Sequence, residues 1–181
     1  FNDNVHLEKI ATSEMDIYKF TPNNSQEDTF GIYFHGGGYY NGSITAYKNI
    51  VSQFTYELQI PMYYFEYSLT PEFLFPAAHE DAKKAVEIIS KLETSKQTIW
   101  MGDSAGGGLA TGILVDKTFD ISPDKLILMS PWLDLSDENK DRKYLKNKDI
   151  LLAIDGVKNI GEYYAGCLLY TSDAADELVG V

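Results

Sequence analysis

Short apolar runs alternate along the chain with longer stretches in which apolar residues recur every three or four positions. Apolar runs rich in aromatic and β-branched residues that end at glycine or proline predict strands, whereas the wider spacing predicts helices. Strands that alternate with helices in this way favour an α/β fold with a doubly wound, mostly parallel sheet. The predicted strands are residues 15–20, 29–34, 61–67, 98–101 and 125–130. The predicted helices are a segment capped by Ser43 or Thr45, residues 77–92, and a segment that begins at Ala105.

Two of the predicted helices carry an apolar stripe on one face, which predicts that this face packs on the sheet. In the earlier helix the stripe consists of Ile50, Val51, Phe54 and Leu58. In the helix over 77–92, which has the clearest pattern of the chain, it consists of Ala78, Ala82, Ala85, Val86, Ile89 and Leu92.

The strand over 98–101 runs into a glycine-flanked serine, in the sequence Gly102-Asp103-Ser104-Ala105-Gly106. This pattern is typical of a nucleophile elbow, in which a sharp strand–turn–helix connection exposes the serine hydroxyl above the sheet. We expect glycine at 102 and 106 because strand and helix pack so closely there that a Cβ would clash. Ser104 is therefore a candidate nucleophile, and Asp103 is expected to brace the turn through hydrogen bonds.

A second glycine cluster, His35-Gly36-Gly37-Gly38-Tyr39, directly follows the strand over 29–34. Consecutive glycines let backbone N–H groups face a substrate, as the oxyanion of acyl transfer requires. The cluster lacks the Gly-Lys-Ser/Thr ending of a phosphate-binding loop and the Gly-x-Gly-x-x-Gly dinucleotide pattern. Both clusters and Pro131-Trp132 follow strands, at the sheet edge where ligands bind in parallel α/β folds. The residues therefore favour an oxyanion hole.

Together the two motifs resemble the hormone-sensitive-lipase family of α/β-hydrolases. The resemblance runs from about residue 18 to residue 166 and includes Tyr67-Ser-Leu-Thr-Pro-Glu72, residues 75–82 and residues 130–134. It implies an α/β-hydrolase fold. Members of this family are mostly carboxylesterases that act on short or medium acyl esters without a cofactor.

The resemblance also implies roles for individual residues. Ser104 would be the nucleophile, and His35 would orient its loop instead of acting as the base. The oxyanion hole would consist of the amides of Gly37, Gly38 and Ala105. The residues expected to support these loops are His35, Gly36 and Asp103. Candidates for the acyl pocket are Tyr39, Tyr40 and Trp132, for which ordinary core or rim packing is the alternative.

The order of the catalytic residues departs from the family, which places an acid and then a histidine after the serine. The three histidines of this sequence, His6, His35 and His79, all precede Ser104. We expect His79 to be a partly exposed helix residue and Asp81 to lie on a helix surface or to anchor a loop. Asp134 and Asp137 follow the serine, but they come directly after the strand over 125–130. The family's triad acid comes after the next strand. The triad is therefore incomplete in this sequence, and we expect the chain to show little esterase activity.

Three functions fit these residues. The first is a serine carboxylesterase, and the second is a non-catalytic binding protein such as the plant gibberellin receptors, which resemble the family but lack the catalytic histidine. The third is another serine hydrolase, such as a peptidase or a deacetylase. The residue at the position of the missing histidine would discriminate between the first two.

Composition narrows the classes of partner. The net charge of −12 argues against nucleic acid, whose phosphates require a basic surface. No apolar run is long enough for a membrane span, and the expected partner is a small-molecule ester. We expect neither a metal nor another cofactor. The single cysteine, Cys167, excludes an intrachain disulfide and favours a reducing cytoplasm. The sequence leaves the oligomeric state open.

The end of the sequence differs from the rest. Residues 133–166 are expected to form either a cap over the site or a surface excursion, with short helices over 149–153 and 155–164. Residues 167–177 resemble the translation of a sequencing-library transposon adapter, so we expect 167–181 to be a non-native tail. The domain over 1–166 would then be a partial α/β-hydrolase that lacks its C-terminal strands and leaves the strand over 125–130 as an exposed apolar edge.

Overall fold

A computed structural model of the chain describes residues 1–26, 28–93, 96–135 and 154–166. Within these ranges six strands form one sheet, and four helices accompany it. The strands are β1 (Val5–Ile10), β2 (Ile17–Pro22), β3 (Thr29–Phe34), β4 (Met62–Phe65), β5 (Gln97–Asp103) and β6 (Lys125–Met129). The helices are α1 (Ile44–Leu58), α2 (Ala77–Leu92), α3 (Ser104–Val115) and α4 (Ile154–Ala165).

The strands lie in the order β1-β2-β4-β3-β5-β6. The pairs β4–β3, β3–β5 and β5–β6 are parallel, whereas β1–β2 and β2–β4 are antiparallel. The predicted α/β fold with a mostly parallel sheet is therefore confirmed. Because Phe34 pairs with Gly102, the carboxyl ends of β3 and β5 lie side by side. The two glycine motifs that follow these strands consequently meet at one edge of the sheet.

Helices cover both faces of the sheet, as a doubly wound fold requires. Alternate residues of β3 point to opposite faces, so Phe34 belongs to the core cluster that contains α2 and α3 residues, and Tyr33 to the cluster that contains α1 residues. The buried residues of α2 are Ala78, Ala82, Ala85, Val86 and Ile89. The predicted stripe of α2 is thus buried except for its last member, Leu92, which is 52% exposed at the helix end.

The predicted face of α1 is only partly correct. Ile50 and Leu58 are 43% and 36% exposed, whereas Val51 is buried together with two polar residues, Ser52 and Thr55. The polar pair tolerates burial because Thr55 Oγ1 donates a hydrogen bond to Val51 O, and Ser52 Oγ accepts one from the N–H of Asn2. The helix is therefore rotated relative to the face that its aliphatic residues predict.

Strand β6 forms one edge of the described sheet, where β5 is its only strand neighbour. Its side chains are only partly buried, and Ile127 is 38% exposed. This agrees with the predicted apolar edge. Of the helices in the described ranges, none has the length and apolar character that crossing a membrane demands.

Candidate active site

Ser104 stands at the junction between β5 and α3, where the chain turns sharply. Its φ of 49° lies in the left-handed region, which side chains other than glycine rarely adopt. The turn places Ser104 in the first turn of α3, where backbone N–H groups lack an intrahelical partner. The hydroxyl therefore stands beside the positive end of a twelve-residue helix.

The two flanking glycines allow this turn because each approaches a backbone segment too closely for a side chain. A Cβ at Gly102 would lie 2.8 Å from the carbonyl carbon of Gly106. A Cβ at Gly106 would lie 2.1 Å from the carbonyl oxygen of Phe34, which is the last residue of β3. Both positions thus agree with the predicted steric requirement, and Gly106 packs α3 directly against the strand that leads to the second glycine motif.

The loop after β3 contains two glycines whose amides have no partner in the described ranges. Gly37 and Gly38 have φ values of 113° and 65°, and the carbonyl of Gly37 accepts the N–H groups of Tyr40 and Asn41 in a tight turn. The N–H groups of Gly37 and Gly38 themselves make no hydrogen bond to any residue in the described ranges. These donors are therefore available to a ligand, as is expected of the first-turn amide of Ala105.

The carboxylate of Asp103 joins the serine turn to the glycine loop. Its Oδ1 accepts the Gly36 N–H at 2.9 Å and the Tyr33 hydroxyl at 3.0 Å, and its Oδ2 accepts the Tyr47 hydroxyl at 3.1 Å. Burial, and then the charge of Asp103, raise the pKa of both tyrosines, which keeps them as donors. A Cβ at Gly36 would lie 2.3 Å from Asp103 Oδ2, so this contact requires glycine.

His35 is buried inside the loop. Its ring is buried and stacks on Tyr67, with centroids 4.1 Å apart and planes 10° apart. Nδ1 lies 2.7 Å from Gly36 O, a carbonyl that can only accept, so this nitrogen carries the proton. Burial lowers the pKa of His35 to about 4. His35 is therefore neutral near pH 7, and its ring does not line the cavity of Ser104.

Ser104 opens into a cavity of about 330 Å³. Gly37 and Gly38 line it beside the serine, and its remaining walls are Tyr40, Ser130, Pro131, Trp132, Val157 and Ile160. The backbone N–H of Trp132 donates to Ser104 O at 2.8 Å, which ties the segment after β6 to the serine turn. Two elements that carry no glycine motif, this segment and α4, thus supply most of the apolar wall.

The three residues expected in the acyl pocket do not share one cavity. Tyr40 and Trp132 line the cavity of Ser104, whereas Tyr39 does not. Tyr39 is buried against Tyr164 and faces a neighbouring cavity of about 430 Å³. The physical reason is its left-handed φ of 63°, with which the chain turns before Tyr40.

The other acidic and histidine residues discussed above lie elsewhere. His79 is partly buried on α2, with Nε2 3.2 Å from Asp116 Oδ2, and Asp81 anchors a loop by accepting the Ser68 N–H at 2.8 Å. Asp134 accepts the indole N–H of Trp132 at its backbone carbonyl, and Asp137 lies outside the described residues. No histidine in the described ranges lines the cavity of Ser104, and no group of three potential metal ligands occurs there.

Sequence reasoning missed several tyrosines that hold the site together: Tyr33, Tyr47, Tyr67 and Tyr164. It also missed the left-handed conformation of Ser130, whose φ is 47°. With thirteen tyrosines in the chain, an aromatic residue is a weak signal of a site. One signal could have indicated the hydrogen bond between Tyr33 and Asp103. In the pairing of β3 with β5, Tyr33 stands opposite Met101, which is two residues before Asp103.

Residues 31–179 match the family described as alpha/beta hydrolase fold. An acetyl-hydrolase from Streptomyces hygroscopicus is 30% identical over 136 residues, which cover 74% of this chain and 46% of that protein. An esterase from Acinetobacter venetianus is 28% identical over 132 residues, which cover 70% of this chain and 43% of that protein. The chain therefore matches less than half the length of each of these curated relatives.

Solved structures lead to the same family. A hormone-sensitive lipase from a metagenome library superposes with a TM-score of 0.81 at 26% identity, over 91% of this chain and 56% of that one. The family match and the superposition each cover most of the chain. The chain belongs to the α/β-hydrolase fold family, and it is similar to proteins named hormone-sensitive lipase.

Proposed function

We propose that this chain carries the nucleophile and the oxyanion hole of a serine carboxylesterase that hydrolyses short or medium acyl esters. The observation that supports this most strongly is the shared cavity, which Ser104 lines together with Gly37 and Gly38, the two glycines whose amides are unpaired in the described ranges. The names of the relatives, an esterase and an acetyl-hydrolase, agree with this reaction class.

In the proposed reaction Ser104 Oγ attacks the ester carbonyl carbon, and the carbonyl oxygen becomes a tetrahedral oxyanion. The N–H groups of Gly37, Gly38 and Ala105 donate hydrogen bonds to that oxyanion, and the positive end of α3 stabilises its charge. The intermediate collapses to an acyl-enzyme as the alcohol leaves with a proton. Water then attacks the acyl group, which releases the acid and restores the serine hydroxyl.

Both steps need a base that removes the proton from the serine or the water. No histidine follows Ser104 in this sequence, and His35 is buried within the loop. We therefore propose that the acid and histidine of the triad come from outside this sequence. It follows that the chain 1–181 should hydrolyse esters slowly.

The proposed substrate range follows from the size and chemistry of the cavity. Its volume of about 330 Å³ suits a small ester, and Tyr40, Trp132 and Ile160 supply an apolar or aromatic wall. A short acyl chain suits an apolar wall because its hydrocarbon atoms make no hydrogen bonds with water that binding would break. We propose that α4, which contributes Val157 and Ile160, covers part of the bound ester.

We propose that residues 167–181 are a non-native tail. The test therefore compares p-nitrophenyl acetate hydrolysis by chain 1–181 with hydrolysis by an extended chain, in which residues 1–166 are joined to the coding sequence that follows them in the source gene. Ser104→Ala is made in both, and Ser25→Ala, which removes an exposed hydroxyl, is the control. We expect the extended chain to lose on the order of 10³-fold in kcat with Ser104→Ala. We expect slow hydrolysis by chain 1–181 that Ser104→Ala does not change.

Two outcomes would contradict the proposal. Substantial turnover by chain 1–181 that Ser104→Ala abolishes would show that the site already contains its base. An extended chain that binds the ester without hydrolysing it would instead indicate a binding protein.

A further inference from the structure

Tyr39 follows the glycine loop directly and is held in an unusual conformation. Its φ of 63° is left-handed, although it is neither glycine nor one of the short polar residues that tolerate this region. Such a conformation persists only where the surrounding structure imposes it. The contacts of Tyr39 therefore decide where the preceding amides of Gly37 and Gly38 point.

The nearer of its two ring contacts in the described ranges comes from α4. Tyr164 stacks on Tyr39 with centroids 3.8 Å apart and planes 9° apart, and the two side chains are only 6% and 3% exposed. Burial raises the pKa of both hydroxyls, so the pair is neutral over the ordinary pH range. The contact is a close, nearly parallel stack of two buried rings, so neither ring can move without disturbing the other.

The segment between β4 and α2 ties the same two residues together through the backbone. The N–H of Thr70 donates to Tyr39 O at 2.8 Å, and the N–H of Phe75 donates to Tyr164 O at 2.8 Å. The Phe75 ring also meets the Tyr164 ring edge-on, at 5.9 Å and 76°. The oxyanion loop, this segment and the end of α4 thus form a closed set of contacts around the Tyr39–Tyr164 stack.

A second contact from α4 reaches the loop one residue earlier. A Cβ placed on Gly38 would lie 3.2 Å from Ile160 Cγ2, and Ile160 also lines the cavity of Ser104. Helix α4 therefore touches the loop on the cavity side through Ile160 and on the buried side through Tyr164.

We infer that Tyr164 is a positioning residue of the oxyanion loop: by stacking on Tyr39 it keeps the amides of Gly37 and Gly38 directed into the cavity of Ser104. This inference rests on the proposed function for its catalytic meaning, but the positioning itself is a property of the fold. Tyr164 does not line the Ser104 cavity, so it acts only through Tyr39.

Amide hydrogen exchange measured by NMR on chain 1–181 tests the positioning without any need for turnover. The reporters are the Thr70 N–H, which donates to Tyr39 O, and the Asn41 N–H, which donates to Gly37 O. Tyr164→Leu removes the stack, so we expect both amides to exchange on the order of tenfold faster through local opening. Tyr164→Phe keeps the ring and should restore the original rates.

Tyr163→Leu is the matched control, because Tyr163 is the adjacent residue of α4 and is 64% exposed. The amides of β3 and β5 report on the rest of the fold. If Tyr164→Leu accelerates their exchange as well, Tyr164→Met, which keeps an apolar side chain and removes the planar ring, replaces it. Unchanged exchange at Thr70 and Asn41 in the folded variant, or equal acceleration by Tyr163→Leu, would overturn the inference.

The catalytic consequence is measured in the extended chain, in the Ser104-dependent assay described above. Because the oxyanion forms only in the transition state, Tyr164→Leu should lower kcat about tenfold and change KM less than about twofold. Faster exchange with unchanged kcat would overturn the catalytic part. If hydrolysis does not depend on Ser104, the proposed function fails, whereas the exchange result still decides whether Tyr164 holds the loop.

Discussion

At the scale of single residues, the site depends on backbone positions with close contacts or strained conformations. At Gly106, α3 and the end of β3 lie so close together that no side chain fits between them. Three residues in or beside the loops of the site have left-handed φ values: Ser104, Tyr39 and Ser130. Strained residues of this kind cluster at functional sites because the surrounding packing holds them in place. The glycines thus make room for the turn, and the strained residues aim the groups that face the ligand.

Gly106→Ala tests this packing. The new Cβ would lie 2.1 Å from Phe34 O, a backbone atom that cannot rotate away, so we expect the free energy of unfolding in urea to fall by roughly 3 kcal/mol. Gly112→Ala in the same helix is the control, since its Cβ would meet the His79 ring at an ordinary 3.5 Å. There the better helix propensity of alanine should raise stability by about 0.5–1 kcal/mol. Equal effects of the two substitutions would contradict the steric argument.

At the scale of elements, α1 takes part in the site although it lies on the opposite face of the sheet from α3. Its Tyr47 reaches the Asp103 carboxylate, which also accepts the Gly36 N–H. The helix is positioned for this contact by its N-cap, where Ser43 Oγ accepts the Ala46 N–H. The hydrogen bonds of Asp103 therefore couple α1, the glycine loop and the serine turn into one unit.

Tyr47→Phe removes one hydrogen bond to a charged acceptor and leaves the ring in place. We expect the free energy of unfolding to fall by about 1–2 kcal/mol. Tyr56→Phe is the matched control on the same helix, because Tyr56 is 36% exposed, and it should change stability by less than about 0.5 kcal/mol. If both variants unfold at the same urea concentration as the parent chain, the Tyr47 contact contributes nothing to stability.

At the scale of the whole molecule, two buried titratable groups make stability depend on pH in the same direction. Burial holds His35 neutral with a pKa of about 4, below the 6.5 of an unfolded histidine. Burial alone would raise the pKa of Glu93, but hydrogen bonds from Lys19, Lys96 and Tyr63 outweigh it and lower the pKa to about 2. Because the unfolded chain binds more protons in both cases, stability falls on acidification.

Glu93→Gln tests the contribution of the carboxylate. The stabilisation from Glu93 is fully present above pH 4.5 and is lost as the pH falls toward 2. Relative to the parent chain, the free energy of unfolding of the variant should therefore be lower by roughly 1–3 kcal/mol at pH 7 and by much less at pH 2. Glu87→Gln on α2 replaces an exposed carboxylate and is the control. Urea unfolding at a series of pH values measures both, and a deficit in Glu93→Gln that is the same at pH 7 and pH 2 would contradict the assignment.

Local patterns predicted the elements well where sequence alone determines them. The bounds of α2 follow from Pro76 and a regular stripe, and β3 follows from an apolar run that ends at a glycine motif. Strand β1 was not predicted because Val5 is its only buried residue, and its pairing with β2 supplies what its sequence pattern lacks. In α1, buried Ser52 and Thr55 rotate the helix away from its aliphatic face.

The site was predictable to the extent that its chemistry lies in contiguous motifs. Ser104 and the glycines of both loops stand in such motifs, whereas the residues that orient them are distant in sequence. Tyr164 stacks on Tyr39 only because α4 returns to the loop, and Tyr47 meets Asp103 across the sheet edge. For Tyr39 the two alternatives, pocket lining and core packing, could not be separated from the sequence for the same reason, since its burial against Tyr164 is a tertiary contact.

The measurement that tests the central claim most directly is covalent labelling of chain 1–181 with a fluorophosphonate ester, in the presence and absence of free imidazole, with the modified residue identified by mass spectrometry. Imidazole can supply the base that the site lacks, so we expect the adduct on Ser104 to form at least about tenfold faster with it. Ser104→Ala should show no adduct at that position. Adducts spread over exposed serines, with Ser104 unmodified under both conditions, would contradict the assignment of Ser104 as the nucleophile facing the oxyanion loop.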